Sequence, residues 1–144
     1  MKRKRRTCID LHIIVPLLVG AFIYIFCSPE VYFVKCIPQN LTGAGLFQTL
    51  PERYRFFRVL RNYLPDMLWG YALVFALFRI VGNNAADTKK VMLISFLFSA
   101  FMELLQLSSS VKGTFDVFDI GAMLVAEVFA VFIINKYYLG GILR

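Results

Sequence analysis

Four apolar runs separated by polar connections form the main pattern of the chain. They cover about residues 11–27, 63–81, 91–107 and 117–134. Each run is 17 to 19 residues long, which lies within the roughly 17–25 residues that a helix needs to cross a bilayer. The pattern therefore predicts an all-α integral membrane protein, a four-transmembrane-helix bundle that forms a single multi-pass domain over residues 1–144.

The polar connection between the first and second runs contains one amphipathic segment. In residues 53–61, arginines interleave with aromatic and aliphatic side chains, which predicts a short helix lying in the headgroup plane. Two roles stay open for this interfacial helix in the first loop: a membrane anchor, or recognition of an anionic lipid or lipid-linked substrate. Arg58 and Arg61 are the secondary candidate residues that it contributes.

We expect the second spanning helix to begin near Pro65. Proline suits the first turn of a helix because its missing N–H would have no partner there. Asp66 follows it and would lie near the positive end of the helix dipole. Asp66 is therefore expected close to the membrane surface.

The composition favours a membrane protein over a soluble one. The chain is 59% apolar and only 17% charged, with a mean hydropathy of +0.68, whereas about 25% of residues in a soluble domain are charged. Such a chain is too hydrophobic to be disordered. The net charge is +7, but the basic residues flank apolar runs instead of forming a polar surface, so we expect no nucleic-acid partner.

The distribution of basic residues predicts the orientation in the membrane. With the N-terminus inside, ten Lys and Arg fall on the inner side and six on the outer side. Cytoplasmic loops carry the excess of Lys and Arg in membrane proteins. We therefore expect a multi-pass protein of the cell membrane, surrounded by membrane lipids, with both termini in the cytoplasm.

Polar residues inside the third run fall on one side of the predicted helix. Ser95, Ser99, Glu103 and Gln106 lie within an arc of about 80° at roughly 100° per residue. Polar groups in a span normally face the interior of a helical bundle. We expect this stripe to face protein, with the serines as packing residues and Gln106 as an interhelical hydrogen-bonding residue. Packing does not explain why a glutamate stands at position 103.

The fourth run opens with two acidic residues and carries a third near its middle. Asp116 can cap the helix, and Asp119 falls in its first turn, where free N–H groups need acceptors. Asp116, Asp119 and Glu127 also share one face within about 80°. Two interpretations stay open: helix capping alone, or a functional acidic face.

The short connection between the third and fourth runs brings their polar residues to one level. Fewer than ten residues separate the runs, so the two helices should be antiparallel neighbours. Glu103 and Gln106 should then meet Asp116 and Asp119 near the outer leaflet, with Asp66 entering from the second span. We expect the Glu103 carboxyl to make a direct or water-bridged contact with one of the two aspartates.

Three or four carboxylates at one level need a compensating charge. Protonation, an arginine such as Arg61, or a cation would supply it. The candidate functional cluster consists of Glu103, Gln106, Asp116 and Asp119. The secondary candidates are Asp66, Glu127, Arg58 and Arg61.

The two polar motifs resemble the C-terminal signature of VanZ-like membrane proteins. Those proteins carry E-x-x-Q at the end of one span and G-x-x-D-x-x-D entering the next, as do Glu103–Gln106 and Gly113–Asp119 here. The segment Leu64–Leu73 is similar to the family's preceding helix, so that the resemblance covers about residues 63–131.

This chain departs from the family pattern at two positions. The family commonly has an Asn four residues after the second Asp and a Gly a few positions later, where Met123 and Ala126 stand here. The resemblance implies a divergent member, or a sister family. The founding type is linked to low-level glycopeptide resistance, especially to teicoplanin, without a settled biochemistry.

Three functions are compatible with these observations. The first is a cell-envelope protein whose outward-facing acidic cluster binds a lipid, glycopeptide or cell-wall precursor headgroup. The second is a membrane-embedded enzyme that uses the clustered carboxylates for acid–base or divalent-cation chemistry. The third is a purely structural or accessory helical bundle. No cofactor, catalytic residue or metal ligand is assigned from the sequence, and self-association or a partner subunit suits a chain of this length.

Overall fold

The computed structural model describes residues 2–27, 55–81, 85–107 and 115–140. Every regular element in this part of the chain is helical, which confirms the predicted helical class. The elements are α1 (Lys2–Cys27), α2 (Arg55–Val81), α3 (Ala85–Leu105) and α4 (Val117–Ile133), followed by a π-helical turn over Ile134–Leu139.

Three of the four helices are long and apolar enough to cross a membrane. The segments that meet this condition are Arg6–Ile23 in α1, Asn62–Val81 in α2, and Val117–Leu139 in α4 and its π-helical turn. In α3, only twelve residues separate Lys90 from Glu103, or about 18 Å of helix at 1.5 Å per residue. Because the hydrocarbon core is about 30 Å thick, length and composition do not establish the predicted fourth span.

The predicted start of the second helix near Pro65 is wrong. Helix α2 begins at Arg55 and contains Pro65 in its interior, so that residues 55–61 continue into the span and do not form a separate interfacial helix. Proline is tolerated inside a membrane helix where a neighbouring helix packs against the interrupted backbone. Here Pro65 is buried against α1, and a Cβ on Gly20 would lie 3.8 Å from its carbonyl oxygen.

Parts of the interfacial prediction lie outside the described residues. These are residues 28–54 and the side chains of residues 55–61. The side-chain positions of Arg58 and Arg61 therefore stay predictions from the sequence.

The four helices alternate in direction, and α2 lies at the centre of the packing. Helix α2 packs against α1, α3 and α4, and α3 also packs against α4. One end of the bundle holds the start of α1 and the end of α2, which an Arg79–Asp10 salt bridge of 3.1 Å joins. The opposite end holds the first turns of α2 and α4 and the last turns of α1 and α3, and we call it the acidic end.

A dense hydrophobic core fills the bundle away from the acidic end. Phe75 and Phe78 of α2 are buried there beside Tyr138 of the π-helical turn. The His12 ring stacks on Phe75 with 4.4 Å between centroids, and its Nδ1 shares a 2.7 Å hydrogen bond with the Tyr71 hydroxyl. These contacts give the lone histidine a packing role.

The outer surface of the bundle is apolar, unlike the surface of a soluble protein. Large apolar residues on the outer faces of α1, α3 and α4 are exposed, among them Leu18, Leu97 and Phe118. Several polar residues are buried between the helices instead, including Ser95 and Glu127. An apolar exterior around polar interhelical contacts is typical of a bundle surrounded by lipid.

Candidate functional site

The polar stripe on α3 faces protein, as its spacing predicts. Ser95, Ser99 and Glu103 are 0%, 1% and 5% exposed, respectively. Gln106 is half-buried one turn further along. The stripe divides into two environments. We call the part around Ser95 and Ser99 the sealed part, because it is packed against other helices. We call the part around Glu103, nearer the acidic end, the open part, because a cavity lies beside it.

The sealed part centres on Glu127 of α4, which has no solvent exposure. Its Oε1 accepts hydrogen bonds from the hydroxyls of Ser95 and Ser99, both at 2.8 Å. Gly70 of α2 lies against the same side chain, because a Cβ there would be 3.5 Å from Glu127 Cγ and 3.4 Å from Met123 Cβ. Glu127 therefore links α4 to α3 by hydrogen bonds, at a point where the backbone of α2 packs closely against its side chain.

The open part centres on Glu103 near the end of α3. Its Oε1 accepts a 2.9 Å hydrogen bond from Gln106 Nε2, three residues further along the same helix. Its Oε2 is buried without a hydrogen-bond partner. The Gln106 hydrogen bond orients the carboxyl within α3, whereas the sequence predicts that Gln106 bonds between helices.

The first turn of α4 is held by the cap that the sequence predicts. Asp116 has extended backbone geometry, and its side chain accepts a 2.9 Å hydrogen bond from the Phe118 N–H. The Asp119 N–H donates to the Asp116 carbonyl at 3.1 Å. The Tyr63 hydroxyl of α2 also donates to Asp116 Oδ2 at 3.4 Å. Both carboxylate oxygens of Asp116 thus have structural partners.

The acidic residues of three helices converge at the acidic end. The Glu103 carboxyl lies near the backbone N–H of Asp116 and within electrostatic range of the Asp116 and Asp119 carboxyls. Asp119 in turn interacts with the charge of Asp66 on α2. Among the described residues, the side chain that donates to Glu103 is Gln106. Glu103 makes no direct hydrogen bond with another described carboxyl, because two ionised carboxylates offer each other only acceptors.

A cavity of about 360 Å³ opens beside this cluster. Its polar lining residues are Asp66, Glu103 and Gln106. Its apolar lining residues are Pro16, Leu17, Gly20, Ala21, Pro65, Trp69, Met102 and Met123. The volume falls in the range of about 300–1,000 Å³ that is typical of ligand pockets, as does an apolar wall with a few polar groups at one end.

The structure separates the predicted site residues into distinct roles. Glu103 and Gln106 line the cavity, and Asp66 joins them from α2. Asp116 caps α4. Asp119 lies next to the cluster without lining the cavity, and Glu127 lies in the sealed contact.

The sequence analysis missed the contribution of α1 to the site. Pro16, Gly20 and Ala21 stand close together in an otherwise bulky run. In the structure Gly20 lets the α2 backbone approach, and all three residues line the cavity. The cluster of small and helix-interrupting residues was the available signal, because such residues mark close helix contacts in membranes.

The described side chains at the acidic end are mainly acidic, and the first turns of α2 there also carry Arg55, Arg58 and Arg61 in the sequence. Among residues with described side chains, none of those at this end is Lys or Arg, whereas four are Asp or Glu. Within the described part of the chain, no group of three or more His, Cys, Asp or Glu is arranged to hold a metal ion. The carboxyl of Glu103 suits a ligand that brings hydrogen-bond donors.

Comparison with known proteins adds no support to the resemblance to VanZ-like proteins, which depends only on the motif residues. No family model, curated protein or solved structure matches the chain. Of the motif residues with described positions, Glu103 and Gln106 line the cavity, Asp116 caps α4, and Asp119 lies in its first turn.

Proposed function

We propose that this chain is a VanZ-like protein of the cell envelope that binds an amphipathic ligand in the cavity at its acidic end. The ligand classes are a lipid, a glycopeptide or the headgroup of a cell-wall precursor, and the expected effect is on teicoplanin-type glycopeptide resistance. The observation that carries the proposal is the Glu103 carboxyl, which is 5% exposed, lines the cavity and has an unpartnered Oε2.

An unpartnered buried oxygen that borders a cavity is a reason to expect a ligand. Leaving a buried acceptor without a hydrogen bond costs roughly 1–3 kcal/mol, and more if the group is charged. The protein could have removed this cost with an apolar residue at position 103. A bound ligand that donates a hydrogen bond to Glu103 Oε2 would remove this penalty. The buried carboxyl would then contribute to the binding free energy.

The shape of the cavity favours an amphipathic ligand. Its polar groups come from α2 and α3 at the acidic end, whereas α1 supplies only apolar and small residues. A ligand with a polar head and an apolar body would place each part against matching side chains.

The topology that accompanies this proposal has four spans and cytoplasmic termini. Support for α3 as the fourth span comes from its course, since it runs from the end where α2 finishes to the end where α4 begins. Lys89 and Lys90 are exposed near its start, where long basic side chains can reach the membrane surface. The excess of Lys and Arg on one side supports the orientation.

Neither alternative function gains comparable support. Capping and packing account for Asp116 and Glu127 but leave the Glu103 carboxyl in the cavity wall unexplained. Divalent-cation chemistry would need several hard oxygen ligands around one point. The described carboxyls form no such group.

The test is an expression experiment in a glycopeptide-susceptible bacterial host. The wild-type chain should raise the minimal inhibitory concentration of teicoplanin, and Glu103→Gln should abolish the increase while the protein level in the membrane stays normal. Asp10→Asn is the matched control, because it makes the same chemical change at a 45% exposed side chain at the other end of the bundle.

Two outcomes would contradict the proposal. One is a wild-type chain that confers no change in teicoplanin susceptibility. The other is a Glu103→Gln variant that retains full resistance at normal abundance. A variant that loses both abundance and resistance would instead favour the structural alternative over ligand binding.

A further inference from the structure

The first half of α1 is firmly held by the rest of the bundle. Ile9 is buried in the hydrophobic core, and Asp10 forms a salt bridge with α2. The His12 ring stacks on Phe75. All of these contacts precede Pro16, which lies inside α1. Proline interrupts a helix because it has no N–H to donate to the carbonyl four residues earlier, so the fixed half of α1 ends where the helix is weakened.

Beyond Pro16, α1 packs much less tightly. Four of the next six residues carry large apolar side chains that are each at least 42% exposed: Leu17, Leu18, Val19 and Phe22. Gly20 is buried among them, because its missing side chain lets the α2 backbone approach. Among the described helices, α1 packs extensively on α2 alone. Residues 17–22 therefore form a loosely held segment, which we call the α1 arm.

The cavity has a buried floor and an exposed mouth. The floor is lined by residues that are buried: Pro16, Gly20, Pro65, Glu103 and Met123. The mouth is lined by residues that are exposed on the outer face of the bundle: Leu17 and Ala21 of the α1 arm, and Met102 of α3. The α1 arm belongs to a segment that is long and apolar enough to cross a membrane. The mouth therefore opens sideways, toward the region that lipid would occupy.

A hydrogen-bond acceptor lies at the floor of the cavity. Glu103 Oε2 is buried there and has no hydrogen-bond partner among the described residues. A ligand that reaches this oxygen through the mouth passes apolar side chains and must then supply a donor. A lipid meets both conditions, since its hydrocarbon chain suits Leu17 and Met102 and a headgroup O–H or N–H suits Glu103. Either a neutral or a charged headgroup can carry such a donor.

Resting on the proposed function, we infer that the ligand is a membrane lipid, and that it enters the cavity sideways from the bilayer between the α1 arm and α3. A hydrocarbon chain of the lipid lies along Leu17 and Met102. A headgroup O–H or N–H donates to Glu103 Oε2. The α1 arm moves away from α3 to admit the lipid, with Pro16 as the hinge.

Quenching of Trp69 fluorescence tests this inference on the full-length protein, because Trp69 lines the cavity and is the only tryptophan of the chain. The protein is reconstituted in vesicles of phosphatidylethanolamine and phosphatidylglycerol, whose headgroups both carry donors and whose brominated acyl chains quench only at short range. Leu17→Cys and Met102→Cys are combined in a chain whose three native cysteines are replaced by alanine. A short bifunctional methanethiosulfonate then links the two new cysteines across the mouth. The link should remove most of the quenching by brominated lipid, and reduction of the link should restore it.

Two controls and a second variant separate the cavity from the general lipid surface. Each single-cysteine variant treated with the same reagent should keep its quenching, because nothing then bridges the mouth. In the other control, Trp69→Phe is combined with Phe118→Trp, which moves the reporter to a largely exposed position on α4, where the link should have no effect. Ala21→Phe fills the mouth without any reagent and should also remove most of the lipid quenching of Trp69.

The possible results distinguish this inference from the proposed function. Unchanged lipid quenching in the linked protein, or in Ala21→Phe if the link does not form, would overturn entry from the bilayer. If Glu103→Gln nevertheless loses teicoplanin resistance, the proposed function stands with a ligand that enters from water, such as a glycopeptide. Lipid quenching that depends on an open mouth, in a chain without any effect on resistance, would confirm the lipid site and contradict the resistance function.

Discussion

Two buried glutamates in the same bundle have opposite surroundings. Glu127 and Glu103 are 0% and 5% exposed, and each has one carboxylate oxygen without a hydrogen-bond partner. Glu127 receives two serine hydroxyls from another helix and lies beneath Gly70. Glu103 receives one side-chain donor, the Gln106 amide of its own helix, and it faces a cavity near the Asp116 N–H at the start of α4.

The difference shows that burial alone does not identify a functional carboxyl in a membrane bundle. A donor from a neighbouring helix makes the carboxyl part of the packing, so its loss affects the fold. A donor from the same helix only aims the carboxyl, and open space beside it leaves room for a ligand. On this comparison, we expect Glu127 to stabilise the bundle, and we propose Glu103 as the ligand-binding carboxyl.

The largest expected effect is on stability when the sealed glutamate is removed. Glu127→Ala should lower the free energy of unfolding by about 3 kcal/mol, since it leaves a cavity and two serine hydroxyls without their acceptor. Glu103→Ala should lower it by less than about 1 kcal/mol, because its side chain already borders empty space. Denaturation in mixed detergent micelles measures both, and equal losses would remove the distinction between the two sites.

A smaller effect is expected from the glycine that closes the sealed part. Gly70→Leu should cost about 2 kcal/mol of unfolding free energy by overpacking against Met123 and Glu127. Gly121→Leu is the matched control on α4, because nothing lies within 4 Å of a Cβ at that exposed position. The same denaturation assay compares them, and a Gly70→Leu variant as stable as the control would show that α2 does not seal this contact.

The smallest expected effect concerns the acid that serves only as a cap. Asp116→Ala should cost about 1 kcal/mol of stability, whereas Asp116→Asn should retain most of it, because asparagine is an equally good N-cap. Asp116→Asn should leave the teicoplanin resistance that the chain confers unchanged. Lost resistance in a stable Asp116→Asn variant would place Asp116 in the binding site with Glu103.

The parts of the site that follow from helical periodicity were predictable from the sequence. Ser95, Ser99 and Glu103 share a face because of their spacing alone, and all three are buried as expected. The cap at Asp116 depends on residues close in sequence and is also confirmed. The short connection between α3 and α4 was enough to bring their acidic residues to one end.

Features that depend on contacts between distant segments were not predictable in the same way. The pairing of Ser95 and Ser99 with Glu127 requires the relative rotation of two helices. The interior position of Pro65 depends on α1 packing against it at Gly20. No pattern within a single helix contains that information, so the sequence suggested a helix start where the structure has a helix interior.

Labelling with a hydrophobic carbodiimide tests the central claim most directly. Dicyclohexylcarbodiimide reacts with protonated carboxyls inside membranes, and mass spectrometry of the digested protein locates each modified residue. The account predicts modification of Glu103 in the open cavity and protection of Glu127 beneath Gly70, with no label on the corresponding peptide of Glu103→Gln. Equal labelling of the two glutamates, or labelling of Glu127 alone, would contradict the assignment of Glu103 as the ligand-binding carboxyl.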